Sequence, residues 1–202
     1  MLDGMTLHAT STPTPPATRA AEILDAAERL VQTRGFNAFS YADIAAELGI
    51  SKAALHYHYP SKQALGDALI SRYSDRFFHE LEVIEAAEPD ASARLSAYVQ
   101  LYRGVLLASR MCLCGMLAAE YQTLPSGMRA AVVEFFSRNE IWLEAVLRQG
   151  VARRELAVAE PLGDAAKLII DTLEGAMMIS RAHDDPQRFE HASSRLLAGL
   201  TN

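Results

Sequence analysis

The sequence predicts an all-α protein of about nine helices, with an N-terminal three-helix helix-turn-helix head followed by a larger helical bundle. Three observations carry this. Apolar residues recur at three- and four-residue spacing through almost every segment. No stretch alternates convincingly as a half-buried strand would. Glycine and proline divide the periodic runs at Gly35, Gly49, Pro60, Pro89, Pro125, Gly150 and Pro186.

Residues 1–17 are rich in Thr, Ser, Pro and Ala with no apolar period, and are expected to form a disordered tail. A first helix is expected from about Thr18 to Arg34, with Ile23, Leu24, Ala27, Leu30 and Val31 inward and Gly35 as its stop. Ser40 and Asp43 have the spacing of a capping box for a short second helix bearing Ile44, Ala45 and Leu48. Gly49 closes it, and a third helix begins at Lys52 and ends near Tyr59, because Pro60 restricts the residue before it. Ser61 can cap a long fourth helix carrying Leu65, Leu69, Tyr73, Phe77, Leu81 and Ile84. Further periodic runs predict a fifth helix through Leu95 to Leu106, a sixth near Leu113 to Tyr121, and a seventh from Met128 to Gly150. An eighth starts at Asp164 with Leu168, Ile169, Leu173 and Met177 inward, and a ninth at Asp185-Pro186 with Phe189, Leu196, Leu197 and Leu200 inward. The expected division is 1–17 tail, 18–64 head and 65–202 body.

No run approaches the roughly 18 apolar residues of a membrane span, and the start of the chain lacks a cationic, apolar leader, so a cytoplasmic location is expected. Two cysteines, Cys112 and Cys114, are too few for a disulfide framework. A net charge of −6 excludes a protein that coats nucleic acid through bulk electrostatics. Between Arg19 and Lys62, five basic residues balance five acidic ones, so DNA contact has to come from a local patch. There is no nucleophile elbow, phosphate-binding glycine loop or HExxH, the six histidines lack metal spacing, and neither an enzyme nor a cofactor is expected.

Two short helices joined by a tight glycine turn form a helix-turn-helix pattern. A DNA-reading helix needs an apolar back and small or polar residues at its N-terminal end. The third helix has Leu55 and Tyr59 for the back and Lys52, Ala53 and Ala54 for the front. The string from Gly49 to Leu65, GISKAALHYHYPSKQAL, resembles the recognition-helix region of the TetR/AcrR family of bacterial transcriptional regulators, and Phe39 to Ala45 resembles the helix before it. That resemblance implies phosphate contacts from Ser40, Tyr41, Tyr57, His58 and Lys62, and base-facing positions at Ala42, Lys52, Ala53, Ala54 and His56. His56 stands where the family usually has tyrosine, and nothing before Arg19 is cationic, so no minor-groove arm is expected.

The resemblance further implies a repressor that binds palindromic double-stranded operator DNA as a homodimer and is released by a small molecule. Pocket candidates are Tyr98, Tyr102, Met116, Phe135, Phe136, Trp142 and Met177, a lining suited to an apolar or aromatic effector. Leu168, Leu173, Met177, Leu196, Leu197 and Leu200 are the expected dimer interface. The alternative is a TetR-fold DNA-binding protein without a small-molecule ligand, regulated by a protein partner or by oxidation of Cys112 or Cys114, for which Arg110 could lower a thiol pKa. Glu120 is read as a solvated residue or a polar anchor for the ligand.

Overall fold

The computed structural model describes residues 18–159 and 161–201, so the tail expected over residues 1–17 lies outside the described part. Nine α-helices and no strand occur among the described residues: α1 Arg19–Arg34, α2 Tyr41–Leu48, α3 Lys52–His58, α4 Lys62–Ala87, α5 Ala91–Leu107, α6 Leu113–Ala119, α7 Ser126–Ala152, α8 Leu162–Ala182 and α9 Gln187–Ala198. None is long and apolar enough to cross a membrane.

The head is built from local signals that agree with one another. Thr18 caps α1 through its side chain on the Ala21 N–H, and the five expected apolar residues of that helix are all buried. Gly35 follows at φ +96°, where an L side chain is strained. Ser40 and Asp43 close a reciprocal capping box at the start of α2, with the Ser40 N–H donating to Asp43 Oδ2 at 2.7 Å. Gly49 ends α2 in the left-handed region, and the Ser51 hydroxyl accepts from the Ala54 N–H to start α3. Leu55 is wholly buried beneath α3, and the Tyr59 hydroxyl donates to the Ala20 carbonyl. These contacts anchor a seven-residue helix that would not hold alone in water.

Helix α4 is 26 residues long, about 39 Å at about 1.5 Å per residue. It packs against α7 from Gly66 onward, and against α1 and α5. Its Arg72 reaches Glu28 of α1 at 3.0 Å and Asp25 at 2.7 Å, and Arg76 meets the other oxygen of Glu28 at 2.5 Å. The packing of the head therefore extends along α4 well past residue 64. In the body, α8 packs on α7 and α9, and α5 lies across α4, α7 and α9. Boundaries shift slightly from the expected ones: α7 continues two residues beyond Gly150, and α8 begins at Leu162 after Pro161.

The end of α1 is where head and body join. Arg181 of α8 donates to the carbonyls of Gln32 and Thr33, and the Met111 N–H donates to the same Gln32 carbonyl at 3.1 Å. Glu120, the residue that closes α6, accepts from the N–H groups of Phe36 at 2.7 Å and Asn37 at 3.2 Å. Glu120 is thus neither a free solvated carboxylate nor part of the cavity described below. A Cβ at position 35 would lie 2.7 Å from Glu120 Oε1, a second reason for glycine there. Glu120→Ala should cost about 1–3 kcal/mol, the usual range for leaving a buried polar group unsatisfied. At roughly 2–4 °C per kcal/mol for a chain of this size, thermal unfolding by circular dichroism should show a lower Tm. Glu120→Gln, which keeps one acceptor oxygen, should lose less, and an unchanged Tm in Glu120→Ala would remove this contact from the account.

Candidate functional site

Helices α2 and α3 present one continuous face. Ser40, Tyr41, Ala42, Lys52, His56 and Lys62 line a shallow concavity between them, together with Phe39. Lys52, Ala53, His56 and Tyr57 are exposed, Tyr57 at 84%, and Ala54 and His58 are half-buried. Exposed Ala53 leaves the N-terminal end of α3 without bulk, so its backbone can approach a groove closely. His56 Nδ1 lies 3.2 Å from the Pro60 carbonyl, and the ring packs on Tyr41 with centroids 4.7 Å apart.

Two residues of that face are engaged within the head. The Tyr41 ring is buried and its hydroxyl donates to the Tyr59 carbonyl at 2.8 Å; burial and the neighbouring Tyr59 phenol push its pKa up to about 12. Lys62 Nζ donates to the Phe39 carbonyl at 2.5 Å and sits 4.7 Å and 4.5 Å from the ring centroids of Phe36 and Phe39. Burial lowers its pKa, partly offset by Glu120 and Asp43. Tyr41 ties the start of α2 to the end of α3, and Lys62 ties α4 to the loop before α2, contacts that the local sequence pattern does not reveal.

The body holds a cavity of about 150 Å³ between α4, α5 and α8, the size that takes a benzene-sized molecule. Its inner wall is Tyr73, Tyr102, Cys112 and Met177, all buried, and its mouth carries the exposed residues Arg76 and Glu80. Phe77, Leu101 and Val105 complete it. Of the seven expected pocket residues, Tyr102 and Met177 line this cavity. Tyr98 and Phe135 stand behind it in an aromatic cluster, with Phe77 5.0 Å from Phe135 and Trp142 stacked on Tyr98 at 5.6 Å between centroids. Met116 and Phe136 pack on the core away from the lining. Tyr73 and Phe77 were legible as a four-residue pair on α4, but their period is also that of plain core.

Residues 23–69 match the family model described as bacterial regulatory proteins, tetR family, and residues 91–196 match a tetracyclin repressor-like C-terminal domain. The chain belongs to the TetR family. A TetR-family transcriptional regulator from Agrobacterium tumefaciens is 32% identical, with a TM-score of 0.88 over 91% of this chain and 97% of that one. A TetR regulator from Legionella pneumophila is 30% identical, with a TM-score of 0.82 over 93% of this chain and all of the other. The nucleoid occlusion factor SlmA of Marinomonas sp. is 27% identical over 161 residues, 78% of this chain and 80% of that protein.

Within this TetR-family chain several expected interface residues are used internally. Leu173 and Met177 have no exposed surface and Leu200 has 9%, so their side chains fill the subunit's own core and offer almost nothing to a second chain. Leu196 and Leu197 are half-buried against the same core. The outer face of α8 instead carries Leu168, Met178 and Ile179, each at least half exposed, and open space around Gly175. Leu168, expected to point inward, faces out. Cys112 and Cys114 are both buried, and burial, with Glu174 close by, pushes both thiols well above their ordinary pKa. That is opposite to the shift a thiolate sensor requires, so Arg110 does not activate them.

The double role of Lys62 gives a test within the head. Lys62→Ala should lower Tm by the loss of a charged hydrogen bond, about 1.5–3 kcal/mol less the screening of its half-exposed position. Exposed Lys52→Ala should leave Tm within the range of an ordinary surface change, about 0.5 kcal/mol. Equal melting temperatures for both variants would show that the Phe39 contact does not hold the head.

Proposed function

We propose that this TetR-family regulator is a repressor that binds a palindromic operator on double-stranded DNA as a homodimer, and that a small apolar or aromatic effector releases it. The observation that carries the reading is the pairing of an exposed, small-residue recognition helix with a cavity whose walls continue into the contacts that hold the head. Cys112 lines the cavity at the start of α6, and Glu120 grips the head at its end. Met177 lines the cavity on α8, and Arg181, one turn on, holds the end of α1. An occupant that shifts either helix changes the support of the head, and so the spacing of two heads in a dimer.

On the DNA face, we assign base-edge contacts to Ala42, Lys52, Ala53, Ala54 and His56, and phosphate contacts to Ser40, Tyr57 and His58. The placement of Tyr41 and Lys62 favours positioning over direct contact. Control by cysteine oxidation has less support, since both thiols are buried and protonated, and a protein partner would leave the cavity without a role. The second copy is placed on the outer face of α8, where Leu168, Met178 and Ile179 form an apolar strip that a twofold axis would bury against itself. Two recognition helices would then face DNA about 34–36 Å apart or a multiple of this.

Ile179→Arg should give monomers by sedimentation, because it would bury unpaired charges across the twofold axis. Operator binding, measured by footprinting on a site selected from random DNA, should be lost although no DNA-facing residue is changed. A dimeric Ile179→Arg variant, or a monomer that binds as tightly as the parent, would place the interface elsewhere.

A further inference from the structure

The direction of the hydrogen bonds around the cavity determines what it can recognise. Asn139 Nδ2 donates to the Phe135 carbonyl at 3.3 Å, and a carbonyl can only accept, so the amide is held with Oδ1 toward Tyr98. The Tyr98 hydroxyl donates to that Oδ1 at 3.0 Å, using its one hydrogen. The 3.1 Å contact between Tyr98 and Tyr102 must then run from Tyr102 to Tyr98. Tyr102, in the inner wall, therefore has its hydrogen committed away from the cavity and keeps only lone pairs.

The remaining polar groups of the inner wall are arranged the same way. The Tyr73 hydroxyl donates to Cys112 Sγ at 3.7 Å. Cys112 Sγ also accepts from the Gly115 N–H at 3.4 Å, and the nearby Glu174 helps to keep the thiol protonated. At the mouth the Arg76 guanidinium is bound to Glu28 at 2.5 Å, while Glu80 adds a second carboxylate. The inner wall thus offers acceptors and aromatic faces, and no free N–H or O–H donor.

We propose that the cavity selects a small apolar or aromatic amine, bound as its ammonium, over the hydrocarbon and the carboxylate of the same shape. This rests on the effector reading above and names the chemical class. The ammonium donates to the Tyr102 and Tyr73 oxygens, the rings of Tyr73, Phe77 and Tyr102 supply cation–π attraction, and Glu80 supplies a negative charge at the mouth. At the inner wall a carboxylate would meet only lone pairs; the remaining N–H groups of Arg76 stand at the exposed mouth, so an anion seated against the wall would be desolvated with no donor there.

The test uses the full chain with 2-phenylethylamine, ethylbenzene and phenylacetate as probes, in thermal-shift and calorimetric titrations. The amine should raise Tm and bind about tenfold or more tighter than ethylbenzene, with phenylacetate weakest. Tyr102→Phe, which keeps the ring and removes the oxygen, should reduce the amine's advantage severalfold and leave ethylbenzene unchanged; circular dichroism establishes that the variant folds. Phenylacetate binding as tightly as the amine, or an undiminished amine preference in Tyr102→Phe, would overturn the proposal. Equal binding of amine and ethylbenzene would overturn amine selection and leave the effector reading standing. Absence of binding by all three also overturns it, and the effector reading is then decided separately, by whether any neutral compound in a wider set lowers operator occupancy.

Discussion

The end of α1 is the constraint on which the arrangement of this protein depends. A helix leaves its last carbonyls without intrahelical partners, and buried ones must be satisfied from elsewhere. Here the body satisfies them, with the Arg181 guanidinium and the Met111 N–H on Gln32 and with Arg181 again on Thr33. The next two N–H groups, of Phe36 and Asn37, go to Glu120. Head and body are therefore joined by backbone polar groups, whose partners cannot be exchanged as freely as apolar contacts can. The arginines of α4 on Glu28 and Asp25 fix the middle of the same helix.

This junction explains why the cavity lies where it does in relation to the DNA face. Three helices contribute both to its wall and to the grip on α1: α4 through Tyr73 and its neighbouring arginines, α6 through Cys112 and Glu120, and α8 through Met177 and Arg181. A packed interior does not deform continuously, so a guest that adjusts these walls acts on elements with discrete arrangements. Under the proposed function, an effector needs only to bind more tightly to one head spacing than to the other.

The head was readable from the sequence because its determinants are local. Thr18, Ser40, Asp43, Ser51 and Ser61 are caps, Gly35 and Gly49 are stops, and each acts within a few residues of itself. What lay beyond reach is what depends on a distant partner. Glu120 reads as a surface carboxylate until the loop at Phe36, 84 residues away, is placed against it. Lys62 reads as a phosphate ligand, and its hydrogen bond to the Phe39 carbonyl, 23 residues away, has no local signal. On α8, Leu168 lies nine residues before Met177, about half a turn round the helix at about 3.6 residues per turn, so the period itself sets it opposite the buried Leu173 and Met177 and the grouping of all three as inward overlooked this. Tyr73 and Phe77 were hidden because a cavity wall and a core use identical side chains.

The account stands most directly on the claim that the body supports the end of α1 as one unit. Hydrogen exchange at the Phe36 and Asn37 amides, compared between the parent and Arg181→Ala, tests it. Arg181 touches neither amide and reaches the junction through the Gln32 and Thr33 carbonyls. If the junction is a unit, both amides should exchange faster in Arg181→Ala, by about tenfold for each 1.4 kcal/mol lost from local stability. Unchanged exchange at both amides, in a variant whose Thr33 carbonyl has lost the Arg181 contact and whose Gln32 carbonyl keeps only the Met111 N–H, would mean that the two grips act independently and would contradict the account.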